Sequence, residues 1–230
     1  YEEKDRKTPS ELIAKQMLED VMLEANVEKK NMVVTTFSSH IARLKSIVDF
    51  ATKINRKPLF LGRSLHKYIT SAENINLINF SDSYELVKYR RQIEAKLKKI
   101  KNPEDYVFIT TGHQGEPKAT LPRIAQGKID FKFNHGDEII FACRTIPTAT
   151  NKANRKRLEN KLKDKGARLY TDIHVSGHAN REDLRNLILM TNPKHVIPAH
   201  GEKDMMVNLI ELATELNYQS GKDVLRDDLP

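Results

Sequence analysis

Short apolar, β-branched segments alternate with amphipathic helical segments along almost all of this 230-residue chain. That alternation restricts the fold more than any other feature. Residues 32–37, 58–61, 106–110, 137–143, 168–173 and 195–198 read as strands. The periodic segments between them read as helices. One runs from the capping box Thr8-Pro9-Ser10-Glu11 to about Glu28. A second starts at Ser38 or Ser39 and carries Ile41, Leu44, Ile47, Val48 and Ala51 on one face. Others cover 83–100, 118–126 (where Pro122 threatens a break), the basic stretch 152–165, 181–190 behind Asn180 and Asp183, and 203–216. Strand–helix–strand repetition implies an α/β fold with a mostly parallel, Rossmann-like sheet and right-handed crossovers.

In a parallel sheet all strands end on one edge, and ligands bind there. Nearly every expected strand ends in hydrogen-bonding residues: Ser38-Ser39-His40, Gly62-Arg63-Ser64, Thr110 to Glu116, Arg144-Thr145, His174 to His178, and His200-Gly201-Glu202. Strand-to-helix loops rich in caps explain part of this pattern, and an extended polar cleft explains the same residues together. Arg63 and Arg144 each suit a phosphate grip or an ordinary surface position. Ser39 and His40 suit RNA contact, and His40 equally suits the cap of its own helix. The loop Thr111-Gly112-His113-Gln114-Gly115 offers glycines and donors able to cradle phosphates, but no Gly-Lys-Ser/Thr follows, so it is not a Walker loop. His113 reads as a substrate contact or as an exposed loop residue. His66, His135 and His195 read as structural.

Two C-terminal motifs carry the sharpest chemistry. His178 and His200 lie 22 positions apart, about one helix plus one strand, which returns the chain to the same sheet edge. Their imidazoles can then converge on a metal or a phosphate. His174-Val-Ser-Gly-His178 precedes a helix N-terminus, where backbone N–H groups favour an anion. Ser176 and a protonated His174 can donate to phosphate oxygens, and His178 can act as proton donor or transition-state stabiliser. His200, beside His178, reads as a metal ligand, with Glu202 as its orienting partner or as an acid at the next helix start.

Composition narrows the partners. The formal net charge of +8 favours an anionic partner, nucleic acid first, with a solubilising lysine surface as the alternative. Trp is absent and aromatics make up 7%, which argues against an extensive base-stacking platform. The single Cys143 reads as a small buried apolar residue, excludes a cysteine-rich zinc site and fits a reducing cytoplasm. Any metal must be held by His, Asp or Glu. No run of 18 apolar residues exists, and the N-terminus does not read as a signal peptide, so a membrane role is not expected. A nucleotide-cofactor protein ranks last, because Gly-x-Gly-x-x-Gly is missing.

Taken together, Thr-Gly-His-Gln-Gly-Glu-Pro (111–117), Arg-Thr-Ile-Pro (144–147), His-Val-Ser-Gly-His (174–178) and Pro-Ala-His-Gly-Glu (198–202) resemble ribonuclease J. That family is the β-CASP branch of the metallo-β-lactamase nucleases, and the lysine-rich sequence is similar to its archaeal form. Phe37-Ser-Ser-His-Ile-Ala-Arg43 and Gly62-Arg-Ser64 match as well, so the resemblance covers nearly the whole chain. It implies a hydrolase of RNA phosphodiester bonds that uses two zinc ions, typically a 5′→3′ exonuclease preferring a 5′-monophosphate. It also implies single-stranded RNA as partner and a homodimer or larger assembly. By the same resemblance His178 is the catalytic-pocket histidine, His200 the late zinc ligand, and His174 with Ser176 the phosphate-binding pair.

The family's His-x-His-x-Asp-His motif has no counterpart here. The chain is therefore expected to be a fragment lacking the N-terminal metallo-β-lactamase part. Residues 1–166 would form the β-CASP domain, and 167–230 a C-terminal βαβα piece of the metallo-β-lactamase fold. Such a fragment is expected to bind little zinc and to be inactive alone. The alternatives are a non-catalytic RNA-binding or assembly module and an endonuclease of the related 3′-end-processing branch. Thr148-Ala149 replace a Gly-Asn pair that bacterial members often carry.

Overall fold

The computed structural model describes residues 10–80, 84–171, 173, 179–199, 203–222 and 224, with 203–205 described by backbone alone. The chain divides into two compact units, Glu11–His174 and Tyr1–Ser10 with Val175–Pro230.

The first unit runs α1 (Glu11–Asn26), β1 (Met32–Thr35), α2 (Ile41–Lys53), β2 (Lys57–Leu61), α3 (Arg63–Asn74), β3 (Glu85–Val87), α4 (Arg90–Lys99), β4 (Tyr106–Thr110), α5 (Thr120–Ala125), β5 (Glu138–Phe141), α6 (Ala149–Asp164) and β6 (Arg168–Tyr170). Its strands form one six-stranded sheet in the order β3-β2-β4-β1-β5-β6, with every pairing parallel. The α/β architecture expected from the alternation is what the chain adopts. Helices cover both faces, so the strands are apolar on both sides. Met32, Val34, Ile109 and Ile140 pack with Leu18, Leu44 and Leu65 of α1, α2 and α3. Val33, Phe108, Ile139 and Phe141 pack on the other face with Ile93, Leu121 and Leu158 of α4, α5 and α6.

This division of helices places the ligand edge. From β1 the chain leaves by α2 on one face towards β2; from β4 it leaves by α5 on the other face towards β5. Adjacent strands β1 and β4 thus send their connections to opposite faces, and a crevice opens between their C-terminal ends. Thr35 lies opposite both Thr110 and Phe141, and Leu61 opposite Thr110, so the strand ends reach the same level.

Three local expectations change. The helix expected over 83–100 is a strand followed by a helix. Leu86 packs on one face of the sheet and Val87 on the other, the period of two that defines a strand. Three residues flanked by charge are too few to display that period in sequence. Pro122 does not break α5, because it sits in the first turn, where its missing N–H would have had no helical acceptor. Strand β6 is laddered to β5, so the sheet extends past the division expected at 166/167.

In the second unit, α7 (Arg181–Thr191) and α8 (Lys203–Glu215) meet over Ile188, Val196, Leu212, Ala213 and Val224. The Asn180 N–H donates to Asp183 Oδ2 at 3.1 Å, the N-terminal cap foreseen for α7. The strand expected over 195–198 is reduced to an isolated parallel bridge between Val196 and Val224. Pro193 and Pro198 bracket it and cannot donate to a longer ladder. Among the described residues, no helix is long and apolar enough to cross a membrane.

Candidate functional site

At the crevice between β1 and β4 lies a cleft of about 760 Å³. Thr36, Phe37 and Ser38 line it after β1, Arg63 and Ser64 after β2, and Thr111 and His113 after β4. Its cations are Arg63, Lys67, Lys88, Arg90, Lys118 and Arg123, with Glu116 as the carboxylate among the described lining residues. Arg90 Nε is tied to Glu94 at 2.8 Å. The other five make no ion pair among the described residues, so their charge is directed at whatever enters. The N-termini of α3 and α4 also border the cleft, and Gly62 at the head of α3 provides no side-chain cap. At α4 the Gln92 side chain accepts from the Tyr89 N–H at 3.2 Å, so it is the uncapped start of α3 that acts in the same sense as the surplus positive charge, favouring an anion.

The inner wall differs from the mouth. His113 is only 3% exposed, and its ring meets Phe37 edge-on with centroids 4.0 Å apart. Behind it, buried Arg155 donates through Nη1 to the His113 carbonyl at 2.9 Å and through Nε to Glu159 at 2.6 Å. The Arg155 guanidinium also lies 3.4 Å over the Phe141 ring. Burial, reinforced by the Arg155 charge, pulls the His113 pKa down to about 4. The Thr36 backbone opposes that shift without reaching hydrogen-bond geometry with either ring nitrogen. At pH 7 the ring is therefore neutral, with one N–H and one lone pair, and neither has a partner among the described residues. The loop histidine expected to be exposed or substrate-facing is buried and borders the cleft.

The other candidates disperse. Arg63 and Thr111 join His113 in the cleft. Gly112 and Gly115 pack rather than cradle: a Cβ on Gly112 would lie 2.3 Å from Pro122 Cδ, and one on Gly115 would lie 2.3 Å from the Asn154 carbonyl oxygen. Gln114 spends both ends of its amide on backbone, donating to the Arg144 carbonyl at 2.8 Å and accepting from the Ile146 N–H at 2.8 Å. The phosphate cradle foreseen for these three residues is thus a tie between the loops after β4 and β5. The Arg144 side chain is exposed and does not line the cleft, and Ser39 is exposed in a turn. His40 occupies the N-cap position of α2 but makes no side-chain cap hydrogen bond. Its Nε2 lies 3.7 Å from Glu11 Oε2; burial, aided by Arg43, lowers its pKa against the pull of Glu11. Cys143 is buried, which pushes its thiol up to about 12. His174, Ser176, His178, His200 and Glu202 lie outside the described residues. Among the described residues no group of three His, Cys, Asp or Glu comes together to hold a metal.

Sequence reading missed Lys67, Lys88, Lys118, Arg123 and Arg155. Arg63 and Lys67 stand one helical turn apart at the start of α3, a signal that was available. Arg155 was hidden in a basic run, yet it stands three and seven positions before Leu158 and Leu162, which marks the inward face of α6.

Comparison with known proteins adds a family. The model described as "Ribonuclease J, beta-CASP domain" matches residues 29–162, and "Zn-dependent metallo-hydrolase RNA specificity domain" matches residues 166–224. The chain is 42% identical over 221 residues to Ribonuclease J of Pyrococcus abyssi, covering 96% of this chain and 49% of that protein. It is 42% identical over 220 residues to Ribonuclease J of Methanocaldococcus jannaschii, covering 95% of this chain and 49% of the relative. Against Ribonuclease J of Synechocystis the identity is 32% over 213 residues, covering 90% of this chain and 31% of the relative. The chain thus spans about half the length of the archaeal relatives it matches.

Proposed function

Because this chain belongs to the ribonuclease J β-CASP family, we propose that it supplies the RNA-holding sheet and a closing segment of a zinc-dependent ribonuclease. The observation that carries this reading is the basic cleft at the sheet's switch point. A row of uncompensated lysines and arginines attracts a phosphate backbone without regard to sequence, as a general ribonuclease requires. The reaction proposed is hydrolysis of RNA phosphodiester bonds in the 5′→3′ direction with preference for a 5′-monophosphate, in the cytoplasm and in a dimer or larger assembly. The sheet unit and the segment after it are proposed as the β-CASP domain and the C-terminal part of a metallo-β-lactamase domain, whose remaining half comes from outside residues 1–230.

Zinc, when bound in such an assembly, supplies an activated water and neutralises charge on the attacked phosphate. Of this chain's residues, His200 is proposed as a metal ligand oriented by Glu202, and His178 as the group acting on the scissile phosphate. His174 and Ser176 hold a neighbouring phosphate. Arg63, Thr111 and His113 are proposed to line the RNA path. Catalytic zinc sites use about three protein ligands, so His200 alone would hold zinc weakly, and residues 1–230 alone are expected to hydrolyse RNA negligibly.

The test is made in a longer protein that joins this chain to a metallo-β-lactamase half. His200→Ala should sharply lower zinc content and hydrolysis together. Ser176→Ala should weaken RNA binding with zinc retained. Full zinc content and full activity in His200→Ala would overturn the assignment.

A further inference from the structure

The N-terminal end of the sheet, opposite the basic cleft, carries a second hollow. Beside it runs the segment 129–134, Ile-Asp-Phe-Lys-Phe-Asn, between α5 and β5. Ile129 is buried, Asp130 exposed, Phe131 half-buried, Lys132 exposed, Phe133 half-buried and Asn134 exposed, which is the period of a strand. The segment nevertheless joins no ladder of the sheet. Its inward side chains pack onto the sheet face covered by α4, α5 and α6. The Phe131 ring meets Phe108 edge-to-face at 5.2 Å, and Phe133 meets Phe131 at 4.9 Å. Both ends are tied: the Ile129 N–H donates to the Arg123 carbonyl at 3.3 Å, and the Asn134 N–H to Asp137 Oδ2 at 2.8 Å. Between the ties, Asp130, Phe131, Lys132 and Phe133 make no backbone hydrogen bond among the described residues. Successive backbone groups of a strand point to opposite edges, so free donors and acceptors look both ways.

This segment walls a hollow of about 390 Å³. Leu97, Ile100, Pro103 and Phe108 give it apolar surface, and Lys98, Lys101 and Lys132 give it charge. All three lysines are exposed and make no ion pair among the described residues. Two carboxylates border it, but Glu104 acts on the Arg56 guanidinium, which leaves Asp130 against three lysines. We propose that residues 129–134 receive an added strand: an extended, acidic peptide of a partner protein pairs with their backbone, sets an apolar side chain in the hollow and turns its carboxylates to Lys98, Lys101 and Lys132. Main-chain hydrogen bonds supply affinity in such docking, and pockets for alternate side chains supply selectivity. Because both ends are held, the receiving segment loses little freedom on binding. Single-stranded RNA fits less well. The Phe131 and Phe133 rings stand at 65° and form no parallel platform for stacked bases, and carboxylates border the hollow. The seat uses neither zinc nor the basic cleft, so it stands apart from the ribonuclease reading.

The probe is the capped peptide acetyl-Asp-Val-Asp-Phe-Asp-Val-Asp-amide. It is titrated into the 230-residue chain while backbone amide resonances and hydrogen exchange are followed. At saturation one alternate pair of amides, Asp130 with Lys132 or Phe131 with Phe133, should exchange about tenfold more slowly or better. N-methylation of alternate peptide residues on one edge should weaken binding more than about tenfold, and on the other edge less than about twofold. Lys98→Glu combined with Lys101→Glu changes exposed side chains only and should weaken the peptide about tenfold. The same peptide with Lys in place of each Asp should bind at least about tenfold more weakly. A short oligouridylate should leave the 130–133 amides unshifted. No binding at millimolar peptide, or equal effects of N-methylation on the two edges, overturns the added strand. Protection of the same amides by oligouridylate would assign the hollow to RNA and overturn the peptide. Protection that rises with chain concentration in the absence of peptide would put a second copy there and overturn the partner protein. None of these outcomes depends on His200→Ala, whose zinc content and activity test the ribonuclease reading separately.

Discussion

Two halves of the same sheet edge look alike in sequence and have opposite chemistry in the fold. On the β5 and β6 side of β1, polar residues at the strand ends tie loops together. Arg43, 0% exposed, donates to the Ala142 carbonyl at 2.9 Å and the Ile173 carbonyl at 3.0 Å, and its Nε meets Glu11 Oε1 at 2.8 Å. Gln114 joins the Arg144 and Ile146 backbones in the same way. On the β4, β2 and β3 side, the cations of the cleft other than Arg90 make no ion pair, and the His113 ring nitrogens no hydrogen bond, among the described residues. The difference follows from topology. The connections from β1 and β4 leave on opposite faces of the sheet, which opens the cleft between their ends, whereas the loops after β4 and β5 are tied to each other through Gln114 across the end of β1. A polar strand end therefore becomes a tie or a ligand group according to where the switch point falls.

The closed side should break hardest. Arg43→Ala would leave the Ile173 carbonyl without its Arg43 donor, the Ala142 carbonyl with the Thr36 hydroxyl alone at 3.3 Å and Glu11 without its guanidinium, and about 3–4 kcal/mol of stability should be lost. The denaturant midpoint should fall accordingly. Loss below about 1 kcal/mol would show that the two carbonyls find other donors and that the side is not closed by this residue. Next in size is the pH response of the open side. The native His113 pKa, about 4, lies below its unfolded value of 6.5, so the unfolded chain binds more protons between those values. Stability contributed by the neutral ring is complete above pH 6.5 and falls as pH drops through 4, by roughly 3 kcal/mol in total. Denaturant midpoints of the unaltered chain and His113→Gln, compared from pH 7 to pH 4, should diverge in slope. Parallel curves would mean the ring is solvated in the fold. Gln114→Ala comes third: about 1–2 kcal/mol, with faster hydrogen exchange at the Ile146 amide.

Much of the fold was legible because long-period signals are redundant. Ile41, Leu44, Ile47, Val48 and Ala51 repeat the helical period often enough that no single residue decides it, and β4 coincides with the expected 106–110. Strand β3 was not legible, since three residues cannot show a period. The candidate site was legible only as polar strand ends. Sequence spacing brought Arg63, Thr111 and His113 to one edge but could not tell that Gln114, one residue from His113, turns to the other side. That outcome depends on the order β4-β1-β5, a long-range fact without a local signature. Arg155 shows the same limit, because a buried arginine and its exposed neighbours Lys156 and Arg157 carry the same charge.

The smallest expected effect discriminates best between the halves. Arg63 and Arg144 are both exposed arginines at strand ends, and sequence alone treats them as equals. Arg63 lines the cleft, whereas the Arg144 backbone is fixed by Gln114 outside it. A phosphate contact on single-stranded RNA contributes a slope of about −0.7 to the dependence of log affinity on log salt. Arg63→Ala should therefore weaken binding of a short single-stranded RNA about tenfold at low salt and flatten the salt slope by about 0.7. Arg144→Ala should change affinity about twofold or less, through the general field of the basic surface alone. Equal losses in the two variants would mean that RNA lies across both halves of the edge, and the distinction between a tied side and an open side would then describe packing without describing function.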